Sequence, residues 1–386
     1  MTHLARMILS LGAIAVLATG CGTTVAGTAV PDPNAPAVKL DTGGLSTKPR
    51  TPTAPGSQRK VLAANMVSER AVLLSDIAPT YVEGGAQTAV TARNFISLGT
   101  DDTDRLSKRG FVYGFSDRRS PVKNSNEGLA IYLIRMTDEA AAKGAVDDFR
   151  AEGGATEPFP ERPEVSVRKT APDDTFKFTR YTAYTAVGPL LIIVSPWATD
   201  ENNARDLITK AIDAQKVKLT GFTSPGPSDI AGLPLDKDGV VSLTVTPEQI
   251  DGGTFNNFFG FFERPAALHW DDNPVAAAKI FGETGMDLVG LGRNTVYRTR
   301  DAAAAKRFVD LAESEWLGHL VSAQPFTIDG LPDAKCRTHK LWEGSDKQLV
   351  TCYLAVGRYV SAFTDSQAVR VRQVTSAAYL ILKHAE

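Results

Sequence analysis

The sequence predicts an α+β fold: two similar tandem domains, each a mainly antiparallel sheet packed with helices, behind an apolar leader and a flexible spacer. Three observations predict it. Residues 133–149 (LIRMTDEAAAKGAVDDF) and 296–312 (VYRTRDAAAAKRFVDLA) align with 8 of 17 positions identical, which points to an internal duplication. Apolar runs of strand length come in hairpin-like pairs, with the helical stretches grouped apart from them, which argues against a parallel α/β sheet. The 386 residues are 43% hydrophobic and 22% charged, an ordinary globular balance at a length that suits two domains.

The elements follow in order. Residues 1–20 carry one basic residue, Arg6, and an apolar run from Met7 to Ala18. That run is far shorter than the roughly 20 residues a spanning helix needs, so it reads as a signal peptide. Residues 21–57 are rich in Pro, Thr, Gly, Ser and Ala and bury too little apolar surface to offset their ordering entropy. They read as a flexible spacer, with residues 38–40 (VKL) pinning its end onto the first domain. The two domains are then 58–224 and 225–386. The turn formers TSPGPS and GLPLDKDG mark the break, near Gly221 to Asp238.

Each domain is expected to run helix, strand, strand, helix, strand, strand, helix, with the helices on one face of the sheet. In the aligned helices Ala142, Ala145, Val146 and Phe149 form an apolar stripe matched by Ala305, Phe308, Val309 and Ala312. Asp138 and Asp301 suit the first turn of each, where a carboxylate caps and complements the helix dipole. Other landmarks recur in the same order. Residues 68–73 (SERAVL) resemble 262–268 (FERPAAL), and Arg109-Gly110-Phe111-Val112 resembles Thr284-Gly285-Met286-Asp287. Ala186-Val187-Gly188 resembles Ala355-Val356-Gly357, and each triplet leads into a strand (189–194, 359–363) and a last helix (202–215, 366–383).

The chain has three cysteines, Cys21, Cys336 and Cys352. Residues 334–341 and 348–356 read as strands around the turn WEGSDK. Cys336 and Cys352 are equidistant from Gly344, so a symmetric hairpin sets them opposite each other. In an exported protein such a pair forms a disulfide.

Leu17-Ala18-Thr19-Gly20-Cys21 resembles the lipobox of bacterial lipoprotein precursors. The resemblance implies that the Cys21 thiol carries a diacylglyceryl group, that the preceding segment is removed, and that the new amino terminus is acylated. It places the protein at the cell membrane, lipid-anchored on the extracytoplasmic face, with two or three chains for stable attachment. The lipobox, the spacer segment VAGTAV (25–30), Leu40-Asp41-Thr42-Gly43 before a Pro-Arg pair, and the duplicated body together resemble a family of actinomycete lipoproteins, of mycobacterial and nocardial type, with no assigned function. That resemblance implies localisation and fold and carries no catalytic residues.

A net charge of −2 and the absence of a basic run exclude a nucleic-acid partner. Asp41-Thr42-Gly43 matches the aspartic-protease triplet, but the mechanism needs a second such carboxylate, and Ile250-Asp251-Gly252 lacks the hydroxyl residue. Asp41 therefore reads as a turn residue. Ser57-Gln58-Arg59-Lys60 fits Ser-x-x-Lys without the companion motifs of penicillin-binding enzymes. Neither a Gly-x-Ser-x-Gly elbow nor a phosphate loop occurs. Asp236-Lys237-Asp238-Gly239 begins like a calcium loop, yet Val240 takes the next ligand position. The five histidines, His3, His269, His319, His339 and His384, show no metal-ligand spacing. No metal and no cofactor are expected.

Two segments remain. His269-Trp270-Asp271-Asp272 sets an imidazole beside two carboxylates, a combination suited to acid–base work, and His269, Asp271 and Asp272 are the candidate site. Residues 255–262 (FNNFFGFF) are the densest aromatic stretch, suited to filling core at the seam between domains, lining a pocket, docking a partner or touching the membrane. The sequence favours a non-enzymatic envelope protein that binds a small ligand or a protein partner in the groove between its halves, since concave sites favour domain seams. The alternative is a cell-envelope hydrolase built on His269, Asp271 and Asp272. A transporter's substrate-binding lipoprotein would need two parallel-sheet lobes, which the hairpins argue against.

Overall fold

The computed structural model describes residues 39–385 apart from 55–56, 96, 124, 152–154, 158, 160–161, 173–177, 198–199 and 248–258. Cys21 and the signal segment lie outside the described residues. The first half contains α1 (Gln58–Ser68), α2 (Leu74–Ile77), β1 (Glu83–Ala89), α3 (Thr100–Lys108), β2 (Phe111–Ser120), β3 (Gly128–Met136), α4 (Glu139–Ala151), β4 (Ala155–Glu157), β5 (Ser166–Thr170), β6 (Arg180–Val187), β7 (Leu190–Trp197) and α5 (Glu201–Lys218). The second contains β8 (Gly260–Glu263), α6 (Arg264–His269), α7 (Pro274–Thr284), β9 (Leu288–Leu291), β10 (Thr295–Arg298), α8 (Ala302–Glu315), β11 (Gln324–Phe326), β12 (Lys335–Lys340), β13 (Gln348–Val356), β14 (Tyr359–Asp365) and α9 (Ala368–Lys383).

Each half is a seven-stranded antiparallel sheet, and the strand orders are the same: β1-β2-β3-β7-β6-β5-β4 and β8-β9-β10-β14-β13-β12-β11. The register matches as well. Val187 pairs with Leu190 across a turn at Gly188, and Val356 pairs with Tyr359 across a turn at Gly357. These glycines have φ 52° and 53°, a conformation that strains any residue with a Cβ. Gly110 and Gly285, also at positive φ, take the same turn ahead of β2 and β9. One proposed correspondence does not hold. Ser68 ends α1 whereas Phe262 lies in β8, and the counterpart of β8 is β1. Each half also has seven strands where four are expected, because the added ones, β1, β4, β5, β8 and β11 among them, are short or poor in large apolar residues.

Helices cover both faces of each sheet, not one. On the first sheet Leu129, Ile131 and Leu133 pack with α1 and α5, while Ala130, Tyr132 and Ile134 pack with α3 and α4. The cause is visible in β3, which is buried at every position. A strand without polar alternation has no face to give to water. The second sheet repeats the arrangement, with α9 on one side and α6, α7 and α8 on the other.

The described part of the spacer is pinned to the second half, not the first. Leu40 and Leu45 pack against the core beneath α9. The Arg50 amide donates to the Ser242 carbonyl at 2.9 Å, and its Nε donates to Thr244 Oγ1 at 3.0 Å. Asp41 sits in a turn, its Oδ1 accepting from the Gly43 amide at 2.9 Å.

Cys336 and Cys352 stand directly opposite on β12 and β13 and form a disulfide across sixteen residues of chain. The equivalent positions of the first half are Val167 and Ala183, paired and buried. An apolar pair thus fills the same slot without a covalent bond. Cys336→Val with Cys352→Ala is expected to fold natively and to lose about 3 kcal/mol, the loop-closure value for such a bridge, in urea denaturation.

Candidate functional site

The sequence-derived candidates separate in space. His269 ends α6 and is 1% exposed. Its Nδ1 lies 2.7 Å from Asp117 Oδ2 on β2 of the other half. Arg119, two residues along the same face of β2, donates from Nε to Asp117 Oδ1 at 2.9 Å. Its Nη2 donates to the His269 carbonyl at 2.6 Å, and its Nη1 to the Val82 and Asp271 carbonyls at 3.0 and 2.9 Å. Asp117 and Arg119 are as buried as His269. Burial alone would push the Asp117 carboxyl up. The hydrogen bond and charge of His269, with the Arg119 guanidinium, overcome that and hold it below the usual range.

Asp271 faces elsewhere. It lines a cavity of about 70 Å³ with Phe262, Trp270, Phe281 and Tyr297. Its Oδ1 accepts from the Asn273 amide at 2.9 Å, and burial raises its carboxyl to about 6. Asp272 is exposed. His269, Asp271 and Asp272 therefore share no cleft, and the imidazole is spent on joining the two halves.

Other motifs resolve into local structure. The Asp236 carboxylate accepts from the Val241 and Ser242 amides at 2.7 and 2.9 Å, an anchor for the chain entering the second half. Lys60 Nζ reaches the Val90 carbonyl at 3.5 Å. Among the described residues no group of three or more His, Cys, Asp or Glu could hold a metal. Of the aromatic segment, residues 255–258 lie outside the described residues. Phe259 and Phe262 are buried, and Asn65 of α1 donates to the Phe259 carbonyl at 3.0 Å, so the described part packs at the seam. There too Glu69 stands beside Glu263, which pairs with Lys237. Desolvation first, and then Glu263, push the Glu69 carboxyl up to about 7.

A cavity of about 750 Å³ lies within the first half. Period-two alternation builds it. On β2, Asp117 and Arg119 face the seam, so Arg118 between them faces the opposite side. A row of opposed residues crosses the sheet from there: Arg118 pairs with Ala130, Ala130 with Ser195, and Thr182 with Arg168. The Ser195 and Thr182 hydroxyls, 3.3 Å apart, close the row. The floor is thus small and hydroxylated, with a guanidinium at each end. In the neighbouring row Arg180 pairs with Trp197. The Arg118 guanidinium lies 4.1 Å from the centre of the Trp197 ring, and Arg168 lies 5.6 Å from Tyr184 while donating to Asp102 at 3.1 Å. Gly128 leaves room for the indole, since a Cβ there would meet the Trp197 ring at 2.1 Å. The Lys169 ammonium is turned to the other face, held by Glu201 at 2.8 Å.

The second half closes the equivalent place. Thr351 and Thr364 reproduce the hydroxyl pair at 2.8 Å, but His339 Nε2 sits 2.9 Å from Thr351 Oγ1, on top of the pair. Leu349 stands where Arg180 does, and the β9–β10 hairpin ends before the level of Arg118.

Two family models match: the N-terminal part of a domain of unknown function, DUF7373, over residues 51–235, and the C-terminal part of the same over 240–385. The chain belongs to the DUF7373 family. No curated protein matches it. Among solved structures, the extracellular domain of PknH from Mycobacterium tuberculosis aligns with a TM-score of 0.28 at 10% identity, over 39% of this chain and 94% of that one. The pocket residues Arg118, Arg168 and Arg180 were not singled out by sequence reasoning, because they meet only through the strand order. The one local signal was Asp117-Arg118-Arg119 at the end of an apolar strand.

Arg119→Ala leaves a buried carboxylate without its guanidinium and is expected to destabilise the protein by about 3–5 kcal/mol in urea denaturation at pH 7. Because Asp117 is held below its unfolded value, its contribution is full above about pH 4 and fades as pH falls through the folded value, so Asp117→Asn should flatten the acid limb of the stability profile. Glu69 behaves in the opposite sense. Its raised carboxyl makes the fold lose stability as pH rises from about 4.5 to about 7. Glu69→Gln should therefore stabilise the protein more at pH 8 than at pH 5, read by thermal melts at both.

Proposed function

We propose that this protein is a lipid-anchored, extracytoplasmic, non-enzymatic binding protein whose small ligand sits in the pocket of the first half. The pocket carries the reading. At about 750 Å³ it falls in the range of small-molecule sites, roughly 300–1,000 Å³, and its walls combine arginines and aromatic rings above a hydroxyl floor. The seam, by contrast, is occupied by Arg119, His269, Leu62 and Phe259 where it is described, so the groove first expected between the halves is not the favoured site. The Cys21 motif supports the anchor, and among the described residues no helix is long and apolar enough to cross a membrane. The hydrolase alternative is disfavoured by the burial of His269, which leaves substrate no path to the imidazole.

Ser195→Phe fills the pocket from a half-buried floor position. In NMR screening with a mixed fragment library, fragments are expected to shift amides around Ser195 and Thr182 in the wild type and not in Ser195→Phe. A library without a single hit at these amides sinks the binding reading. Cys21→Ser should move the protein from the detergent phase to the aqueous phase, and unchanged partitioning sinks the anchor.

A further inference from the structure

Among the described residues six large apolar side chains are exposed, and three of them, Leu341, Trp342 and Val369, lie at one end of the second sheet. The other three are single valines on the β2–β3 turn, α5 and α7, and isolated exposed residues of that kind are ordinary. The register brings the first three to one end. Lys340 pairs with Gln348, and the Leu341 amide donates to the Lys347 carbonyl at 3.1 Å. Val350 pairs with Asp365, and α9 follows at once with Val369 in its first turn. β14 thus hands the chain to α9 two strand spacings, about 10 Å, from β12. Trp342 stands in the turn between β12 and β13, 55% exposed. That turn is fixed. The Ser345 amide donates to the Trp342 carbonyl at 3.0 Å, the Lys347 amide donates to Ser345 Oγ at 3.1 Å, and the Cys336–Cys352 bridge ties the two strands together.

The amino-terminal side of the chain joins the fold at the same end. Gln373 Nε2 donates to Asp41 Oδ2 at 3.3 Å, and Gly43 lies against the Gln373 side chain. Gln373 is one helical turn beyond Val369, about 6 Å along α9. Seventeen residues separate Lys39 from Cys21, a length of chain that spans at most about 60 Å. An anchor on Cys21 therefore pulls on the end that carries Leu341, Trp342 and Val369. The charges of the β12–β13 tip cancel, Lys340 and Lys347 against Glu343 and Asp346, so nothing restricts it to anionic lipid. An indole suits the headgroup layer, where its ring is in apolar surroundings and its N–H stays wet. So few apolar residues hold a bilayer weakly by themselves. A tether keeps them at an effective concentration on the order of millimolar, at which a weak contact persists.

Resting on the anchor reading above, we infer that this end of the second half is a bilayer-contact surface: Trp342, with Leu341 and Val369 beside it, sits in the headgroup layer of the membrane to which Cys21 is tethered. The cavity of the first half lies outside this surface.

Tryptophan fluorescence tests this on the lipidated protein reconstituted into phosphatidylcholine vesicles, with and without bromine on the acyl chains. Flotation in a density gradient first confirms attachment. The variants are Trp342→Phe and Leu341→Glu/Val369→Glu, all at exposed positions, and a glutamate at 369 suits the first turn of α9. Circular dichroism and melting temperature confirm that each is folded. The difference between the wild-type and Trp342→Phe spectra is the emission of Trp342 itself, and brominated lipid should quench it. In Leu341→Glu/Val369→Glu, which keeps the indole, the quenching should fall. Protein that floats with the vesicles yet shows equal quenching in the wild type and Trp342→Phe overturns the contact and leaves the anchor standing. So does quenching undiminished in Leu341→Glu/Val369→Glu. Protein that does not float overturns the anchor, and this inference with it. A wild type that sediments as a dimer in detergent, beside a monomeric Trp342→Glu, assigns the face to a second copy and overturns the bilayer contact.

Discussion

A buried guanidinium holds the two halves of this molecule together. Arg119 reaches from β2 of the first sheet and gives its protons to the Asp117 carboxylate and to the carbonyls of Val82, His269 and Asp271. Taking a charge into such a place costs several kcal/mol of lost hydration, which is recovered only when every donor is met. Here the partners come from both halves, so the network is complete only in one arrangement. An apolar seam would tolerate sliding. This one does not, because any shift of α6 against β2 strands a charge or a carbonyl. Around it, Asn65 donates to the carbonyls of Phe259 and Phe261, and Leu62 packs against Gly260, whose φ of 84° disfavours a residue with a Cβ.

The same strand builds the pocket. The β2–β3 hairpin runs several residues beyond its counterpart β9–β10, and that extension carries Asp117, Arg118 and Arg119. Pleating sends the outer two to the seam and the middle one to the pocket. The longer hairpin therefore carries both an inter-domain lock and a wall of the cavity. It also ties them together, since a displacement of the seam residues is a displacement of the strand that presents Arg118 to Trp197.

How much of this was legible in the chain depends on whether a property is local. The helices at 139–151 and 302–315 were readable from stripes of period 3.6, and the Cys336–Cys352 pairing from symmetry about Gly344. Coverage of both sheet faces was also written in the chain, in the unbroken apolar runs 129–134 and 190–194, yet the expectation put helices on one face only. β1 could not be read: EGGAQTA has two glycines and no large apolar residue, and it is a strand because β2 offers it an edge. His269 misled for a related reason. Its sequence neighbours Asp271 and Asp272 suggested a site, while its partner Asp117 lies 152 residues away. The pocket was the least legible feature. Its row joins Arg118, Ala130, Ser195, Thr182 and Arg168, an order that only the topology β2-β3-β7-β6-β5 creates.

The duplicated halves have diverged in a consistent direction. The first keeps an open row of hydroxyls between arginines. The second spends the same positions on closure: His339 caps the hydroxyl pair, Leu349 replaces a guanidinium, and a disulfide takes the slot of Val167 and Ala183. It is also the half that residues 40–50 cross on their way to α1, held by Leu40, Leu45 and Arg50. Any pull on the amino-terminal side of the chain thus meets the cross-linked, closed half before the half with the pocket.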